Sequence, residues 1–324
     1  MSGGAIIVRE NGGPEVLKFE QQDVGDPGPG EIKVRNQAIG VNFIDVYERT
    51  GLYKKPLPMV AGNEGAGEVI AVGEGVTEFE VGDRVAYSGP SGSYAEERLM
   101  PADRAAPLPD NVDYDTAAAM TLKGTTAYYL IHLTHELKAG ETILLHAAAG
   151  ATGLIIAQWA KAIGARVIGT AGSDEKAELA KAHGCAEVIN YRTGDFVARV
   201  KELTEGRGVD VVYDGVGKAT FEPSLDCLKP RGLMVSFGNA SGVVSIPDLT
   251  ILARKGSLFV TRPTTASYFA APADFRRAAA AIYRAVASRA VKPLINQTFP
   301  LRDAAEAHRA LESRQTTGST LLLP

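Results

Sequence analysis

The chain reads as an α/β protein of two domains, one β-rich and one built on a doubly wound parallel sheet. Three observations predict this. At 324 residues it exceeds the length at which a single hydrophobic core stops growing. Its first third is rich in Gly and Pro and carries short stretches of alternating hydrophobicity. Beyond residue 140, short apolar runs alternate with segments of helical length.

In order along the chain, Ile32 to Arg35, Gly67 to Val72 and Asp83 to Tyr87 alternate with a period of two. Turn signals such as DPGPGE and VGEGV separate them, so this part is predicted to be mostly β and barrel-like. From Tyr114 the pattern becomes helical, through Asp115 to Met120 and Ala127 to Ile131, ending near Lys138 to Gly140. Strands are then expected at Glu141 to Ala147, Ala165 to Thr170, Glu187 to Asn190, Val209 to Asp214, Leu233 to Phe237 and Leu258 to Thr261. Helices are expected between them at Leu154 to Ile163, Lys176 to Ala182 and Phe196 to Thr204. Continuously apolar strands joined by helices mean a parallel sheet covered on both faces. The tail changes pattern again, with helices at Asp274 to Ala287 and Arg302 to Glu312 and strands at Leu294 to Phe299 and Ser319 to Leu323, and reads as a return to the first domain.

Composition excludes several classes. Hydrophobic residues make 45% and charged residues 22%, as in an ordinary soluble globular protein. No apolar run approaches the ~20 residues that span a bilayer, and the first ten residues lack a basic segment followed by an apolar one. The expected address is the cytoplasm, with no membrane partner. A net charge of −4 offers no basic stripe to a nucleic acid. The two cysteines, Cys185 and Cys227, lie far apart without metal or redox spacing, which fits a reduced compartment.

The segment ILLHAAAGATGLIIAQWAKAIGARVIGT orders strand, glycine turn, helix and strand as a dinucleotide-binding unit requires. Its turn reads Ala148-Ala149-Gly150-Ala151-Thr152-Gly153. Gly150 lets the backbone approach a diphosphate, Gly153 permits close helix packing, and the helix start offers amides to the anion. The second strand ends Gly169-Thr170-Ala171-Gly172-Ser173, with no carboxylate at its tip to take ribose hydroxyls, so a 2′-phosphate can enter. NADP(H) is therefore expected over NAD. Ser173 reads as a helix N-cap that places Asp174 and Glu175 in the first turn, while Lys176 and Tyr191 are candidates for the phosphate.

Strings along the whole length carry a family resemblance: NGGPEVL, VNFIDVYERTGLY, GNEGAGEV, LKGTTAYYL, HAAAGATG, VVYDGVGK, GLMVSFGNASG, SLFVTRP and ESRQTTGSTLLLP. The chain resembles the NADPH-dependent quinone oxidoreductases of the zeta-crystallin-like branch of the medium-chain dehydrogenase/reductase superfamily. The resemblance implies a GroES-like catalytic domain (residues 1–122 and 266–324), a Rossmann cofactor domain (123–265), a cleft between them and a homodimer. It implies that nicotinamide and substrate lie near Asn42, Asp45, Tyr47 and Tyr53, with Lys123, Gly124 and Thr126 at the domain join. Gly172, Lys176 and Tyr191 would meet the 2′-phosphate, and Phe237, Gly238 and Arg314 would add cofactor contacts. Two departures stand out: Gly150-Ala151-Thr152-Gly153 replaces a common GGVG, and Gly215 stands where a serine is frequent.

The stretch AGNEGAGEVIAVG at 61–73 is similar to the wording of zinc alcohol dehydrogenases, with Asn63 in place of their His. Asn42 stands where they carry a Cys, and amides are poor zinc ligands beside thiolate and imidazole. The five histidines have no metal spacing, and no metal is expected. A quinone suits such a site, because its developing anion is delocalised and less external charge stabilisation is needed. Tyr47, Tyr53 and Lys123 would orient the acceptor or donate to its oxygen, the proton coming from water. Glu64 reads as a structural tie of the glycine-rich loop. The competing expectations are reduction of conjugated C=C bonds in enones or alkenals, a zinc alcohol dehydrogenase, and a non-enzymatic NADPH-binding structural or RNA-binding role.

Overall fold

The computed structural model describes residues 3–324, which form two compact units. The first comprises residues up to Thr125 together with Ala271–Ala287 and Pro293–Pro324, and the second Thr126–Ala270 with Ser288–Lys292.

The first unit is organised by one long strand, Glu31–Val41. Its alternation buries Ile32, Val34, Asn36 and Ala38 on one face, and from Ala38 onward every residue is buried. The strand therefore serves two cores. One holds Ile32, Val34, Val69, Phe79, Val85, Tyr87 and Met100, and the other Ile6, Val8, Ile39, Val41, Tyr94, Leu301 and Leu322. Seven strands make the larger sheet, in the order Ile295–Pro300, Ser319–Leu323, Glu31–Val41, Glu64–Val72, Arg84–Ser88, Ala105–Pro107, with Glu97–Pro101 also on Glu31–Val41. The C-terminal strand pairs antiparallel with the long strand, Thr320 opposite Val41. A second, antiparallel sheet of three strands, in the order Lys18–Gln22, Gly3–Val8, Met59–Val60, belongs to the same unit. The β texture expected of this region is interrupted by a short helix, Phe43–Arg49, that alternation alone did not reveal.

The second unit is a six-stranded sheet, every pairing of which is parallel, in the order Glu187–Asn190, Arg166–Ala171, Thr142–Leu145, Val209–Asp214, Leu228–Ser236, Phe259–Thr261. Numbered from Thr142–Leu145, that order is 3-2-1-4-5-6, the doubly wound arrangement whose chain reversal opens a crevice at the carboxyl ends of the strands. Leu144, Ile168, Val212 and Met234 sit fully buried in its core, as continuously apolar strands require.

Several boundaries differ from expectation, three of them with a clear physical reason. The first helix of this unit begins at Ala151 rather than Leu154, because Gly150 in extended conformation is its N-cap. The strand expected at Leu233 begins at Leu228; exposed Lys229, Pro230 and Arg231 disguise its start, and its register with Val209–Asp214 shifts there. The helix Tyr114–Tyr128 does not run on evenly but continues as a π turn, Tyr129–Thr134.

Candidate functional site

In the first unit, Asn42 is the N-cap of helix Phe43–Arg49, with φ −139° and ψ 155°. Asp45, three residues on, reaches back so that its Oδ2 accepts the Asn42 N–H at 2.8 Å. One turn further along, the Tyr47 ring meets Tyr53 edge-on, centroids 5.3 Å apart, and the Tyr53 N–H donates to the Tyr47 carbonyl at 3.0 Å. Half-buried Tyr47 and exposed Tyr53 thus present one aromatic surface.

A fully buried carboxylate joins the remaining groups. Glu64 Oε2 accepts from Asn42 Nδ2 at 2.9 Å and from Lys123 Nζ at 2.5 Å, and its Oε1 accepts the Leu122 N–H at 2.6 Å. Gly40 makes room for it: a Cβ there would collide with Glu64 Oε2 and the Ala118 carbonyl. Asn42 and Lys123 are therefore brought together by Glu64, which the sequence presents as a loop tie, and Asp45 is linked to them through the Asn42 N–H.

Asp45 faces inward and is 1% exposed. Its Oδ1 accepts from Asn63 Nδ2 at 2.9 Å, and its Oδ2 also accepts from Tyr94 Oη at 2.9 Å. With both oxygens taken, it holds its neighbours rather than offering an atom to a substrate. Burial pushes its carboxyl up to about 7, against the downward pull of the Asn63, Asn42 and Tyr94 donors. The hydrogen-bond chain continues with a polarity fixed at one end. Arg49 can only donate, so His308 Nδ1 accepts from it at 3.1 Å, and His308 Nε2 donates to Tyr94 Oη at 3.0 Å. Burial, then the Arg49 charge, push the His308 imidazole down to about 3, which keeps it neutral. Arg49 completes the chain with a two-point pair to Glu312, 2.8 and 2.9 Å.

The donor set at the two positions compared with zinc ligands points the wrong way for a metal. Asn63 Nδ2 donates to Asp45 and, at 2.8 Å, to Glu48 Oε2, while Asn42 Nδ2 donates to Glu64. These amides spend their N–H groups on carboxylates, and an amide is a weak zinc ligand in any orientation. Among the described residues, no group of three or more His, Cys, Asp or Glu is placed to hold a metal ion.

In the second unit, the strand Thr142–Leu145 runs into the glycine turn and helix Ala151–Ile163. A Cβ on Gly153 would lie 2.5 Å from the Ala147 carbonyl and 2.9 Å from Ala148 Cα, so the turn can close only around glycine. Thr152 stands in the first turn of that helix, where amides precede the first intrahelical bond, Leu154 N to Gly150 O. Unpaired amides at a helix start favour an anion.

The strand Arg166–Ala171 leads to Gly172 and the cap Ser173, whose Oγ accepts the Lys176 N–H at 3.3 Å. A Cβ on Gly172 would stand 2.6 Å from the Tyr191 hydroxyl and 3.7 Å from Arg192 Nε. Burial, then the Arg192 charge, push the Lys176 ammonium below its usual range, so the two cations lie within electrostatic reach of one another. The carboxylate of Asp174 is turned aside to Asn190 Nδ2 at 2.8 Å, and that of Glu175 accepts from Ser173 Oγ at 3.3 Å. Arg192 is the residue sequence reasoning missed here; its only signal was its place beside Tyr191 at the end of a strand.

Further along the carboxyl edge, Phe237 packs on Gly215, whose Cβ would lie 3.1 Å from the ring, and Gly238 sits against the Gly215 carbonyl with no space for a side chain. A serine at 215 would crowd Phe237. Asp214, fully buried, ties this loop by accepting from the Val216 and Gly217 N–H groups and Thr220 Oγ1. Thr126, buried, lies beside the Tyr129 hydroxyl, which burial pushes up to about 12. Tyr129 opens the π turn and stacks on Tyr268, centroids 4.7 Å apart. Arg314 belongs to the first unit, just beyond helix Ala304–Glu312, with left-handed backbone at φ 59°.

Comparison with known proteins follows the same division. Residues 28–110 match the family described as alcohol dehydrogenase GroES-like domain, and residues 151–282 that described as zinc-binding dehydrogenase. A quinone oxidoreductase of Pseudomonas aeruginosa is 53% identical over 97% of each chain. A 2-haloacrylate reductase of Burkholderia sp is 46% identical over 99% of this chain and 98% of its own. The crystal structure of Escherichia coli quinone oxidoreductase complexed with NADPH superposes with a TM-score of 0.97 at 49% identity, covering 99% of this chain and 100% of that one.

Proposed function

The chain belongs to the quinone oxidoreductase family of the medium-chain dehydrogenase/reductases, and on that premise we propose that it reduces a quinone with NADPH, without a Lewis-acid metal. The observation that carries the reading is the donor set just described: amide N–H groups directed at carboxylates where a zinc enzyme needs thiolate or imidazole. An alcohol substrate asks for an electrophile to hold its alkoxide, whereas a quinone spreads the developing charge over its ring.

The groups around the glycine turn fit the dinucleotide. Gly150, Thr152 and Gly153 would hold its diphosphate, and Gly172, Ser173, Lys176, Tyr191 and Arg192 the 2′-phosphate. Phe237, Gly238 and Arg314 would add further contacts. When bound, the cofactor supplies a hydride to the acceptor. Tyr47 and Tyr53 give a flat acceptor a stacking surface, and one of the three Lys123 N–H donors hydrogen-bonds its oxygen. Glu64, to which Asn42 also donates, holds that group in place, and water supplies the proton.

Steady-state rates with 1,4-benzoquinone, 1,2-naphthoquinone and a 2-alkenal, each with NADPH and NADH, test the proposal. Quinone turnover with NADPH preferred is the expected outcome; a clear preference for the alkenal selects the second reading, reduction of a conjugated C=C bond. That reading is favoured by the similarity to the 2-haloacrylate reductase, and the same site serves it because hydride addition there also gives a delocalised anion.

The proposed assembly is a homodimer formed through the outer edge of strand Phe259–Thr261, the last of its sheet. Phe259 there is 61% exposed, and Val243 and Leu249 are 57% and 70% exposed. Sedimentation equilibrium should give twice the chain mass. Cys185 and Cys227 are both buried and unpaired, in keeping with a proposed cytoplasmic address. No helix among the described residues is long and apolar enough to cross a membrane. No retention on an RNA column at physiological salt is expected.

A further inference from the structure

We infer that Glu64 is the positioning residue of acceptor reduction: its buried carboxylate keeps the Lys123 ammonium charged and orients it together with the Asn42 amide. The inference rests on the proposed function, in which Lys123 donates to the acceptor.

The geometry carries it in three steps. Three donors, Leu122 N, Lys123 Nζ and Asn42 Nδ2, converge on the two Glu64 oxygens. Only a group that accepts at both oxygens serves them all, which is the role of a carboxylate and not of its amide. Second, the Lys123 side chain is 4% exposed and that of Glu64 0% exposed, so neither charge has water to fall back on. A buried ammonium without a counter-charge reverts to its neutral form and loses donor strength. Third, the chain gives up a side chain at Gly40 to admit this carboxylate, and the Ser93 hydroxyl accepts the Glu64 N–H at 3.2 Å to fix its backbone. A simple loop tie needs neither this convergence on Glu64 nor a buried ammonium among its donors.

The other titratable groups around the pair stay out of the way. Burial pushes up the hydroxyls of Tyr87, Tyr94 and Tyr283, the last to about 12, and the Glu64 charge adds to each rise. Asp45, linked through Asn42, changes charge on the acid side, near 7. The guanidinium groups nearby are those of Arg98, beside Tyr87, and Arg49, near Tyr94. An alkaline limb that appears on removing Glu64 therefore reports Lys123.

The experiment compares wild type, Glu64→Gln, Lys123→Met and the double variant in three measurements. These are NADPH affinity by fluorescence titration, thermal midpoint, and the pH profile of kcat with the acceptor that wild type reduces. Glu64→Gln is expected to keep NADPH affinity within about twofold, lower the thermal midpoint and lose about 100-fold in kcat at alkaline pH, the loss shrinking as pH falls. Lys123→Met should lose about as much at every pH. The double variant no longer buries an unpaired charge, so it should regain the thermal midpoint while kcat stays low and free of the alkaline limb.

A Glu64→Gln enzyme with kcat within about threefold of wild type across the range overturns the inference. So does a double variant whose kcat returns together with its stability, which would mean that the pair is only a structural ion pair. A wild type inactive toward both quinones and the alkenal overturns the functional reading instead, and this inference with it.

Discussion

In the second unit the cap and the loop tie of the site join residues a few positions apart; in the first the buried carboxylate Glu64 and the Arg49 guanidinium reach partners tens to hundreds of residues away. Ser173 caps Lys176 and Asp214 ties Thr220 across three and six positions. Glu64 reaches Asn42 across 22 positions and Lys123 across 59, and Arg49 reaches His308 across 259. The difference separates two ways of building a site. A phosphate cradle can be made from a strand end, glycines and a helix start. A place that orients an acceptor without a metal needs several buried charges, and those are affordable only inside a network that satisfies each of them.

The sharpest way to break the comparison is at Arg49, where the long-range network is most buried. Arg49→Ala leaves Glu312 and His308 without their donor. It should cost about 2 kcal/mol or more in urea unfolding, from the cavity the buried side chain leaves and from buried His308 Nδ1 losing its donor, whereas Glu312, a third exposed, can turn to water. A loss under about 1 kcal/mol would mean that the network is ornamental to the fold.

At the proposed phosphate cradle, Lys176→Ala and Arg192→Ala should each weaken NADPH binding about tenfold or more, the size of one charge-assisted hydrogen bond, and leave NADH within about twofold. Fluorescence titration with both nucleotides decides it. Unchanged NADPH/NADH preference would remove the assignment of this cradle to the 2′-phosphate.

Asp45 gives a pH signature to the first unit. Its folded carboxyl is raised to about 7 from 3.8, so between those values the folded state holds a proton that the unfolded state has released. Stability should therefore be full below about pH 4 and fall as pH rises toward 7, by about 2 kcal/mol or more from this group. Asp45→Asn removes the dependence; urea unfolding of both proteins at pH 5 and pH 8 should show wild type losing ground to the variant. Parallel pH profiles would contradict the burial argument.

The smallest effect belongs to the cap. Ser173→Ala should cost about 1 kcal/mol, measured by thermal unfolding, because it removes one local hydrogen bond at a helix start, and should weaken NADPH binding more than NADH binding if its hydroxyl meets the 2′-phosphate as proposed.

These contrasts explain what the sequence could and could not disclose. The parallel sheet was legible because its strands are continuously apolar and its helices have regular length. Gly150, Gly153, Gly172 and Ser173 were legible because each acts within its own turn. Arg192 was missed, since a cation beside a candidate tyrosine carries no periodic or motif signal, only a spatial one. Helix Phe43–Arg49 was hidden because its seven residues are too few to establish a period, and its start is marked chiefly by the Asn42 to Asp45 bond. Asp45 could be placed near the site but not turned inward, for that depends on Tyr94 and Asn63 meeting it in the fold. Glu64 looked like one more polar residue in a glycine-rich strand until Lys123 came to lie against it.

The most direct test of the central claim is the rate of NADPH-dependent reduction of 1,4-benzoquinone before and after exhaustive treatment with a metal chelator. Full activity retained in metal-free protein is the predicted result. Activity lost on chelation and restored by zinc would contradict it.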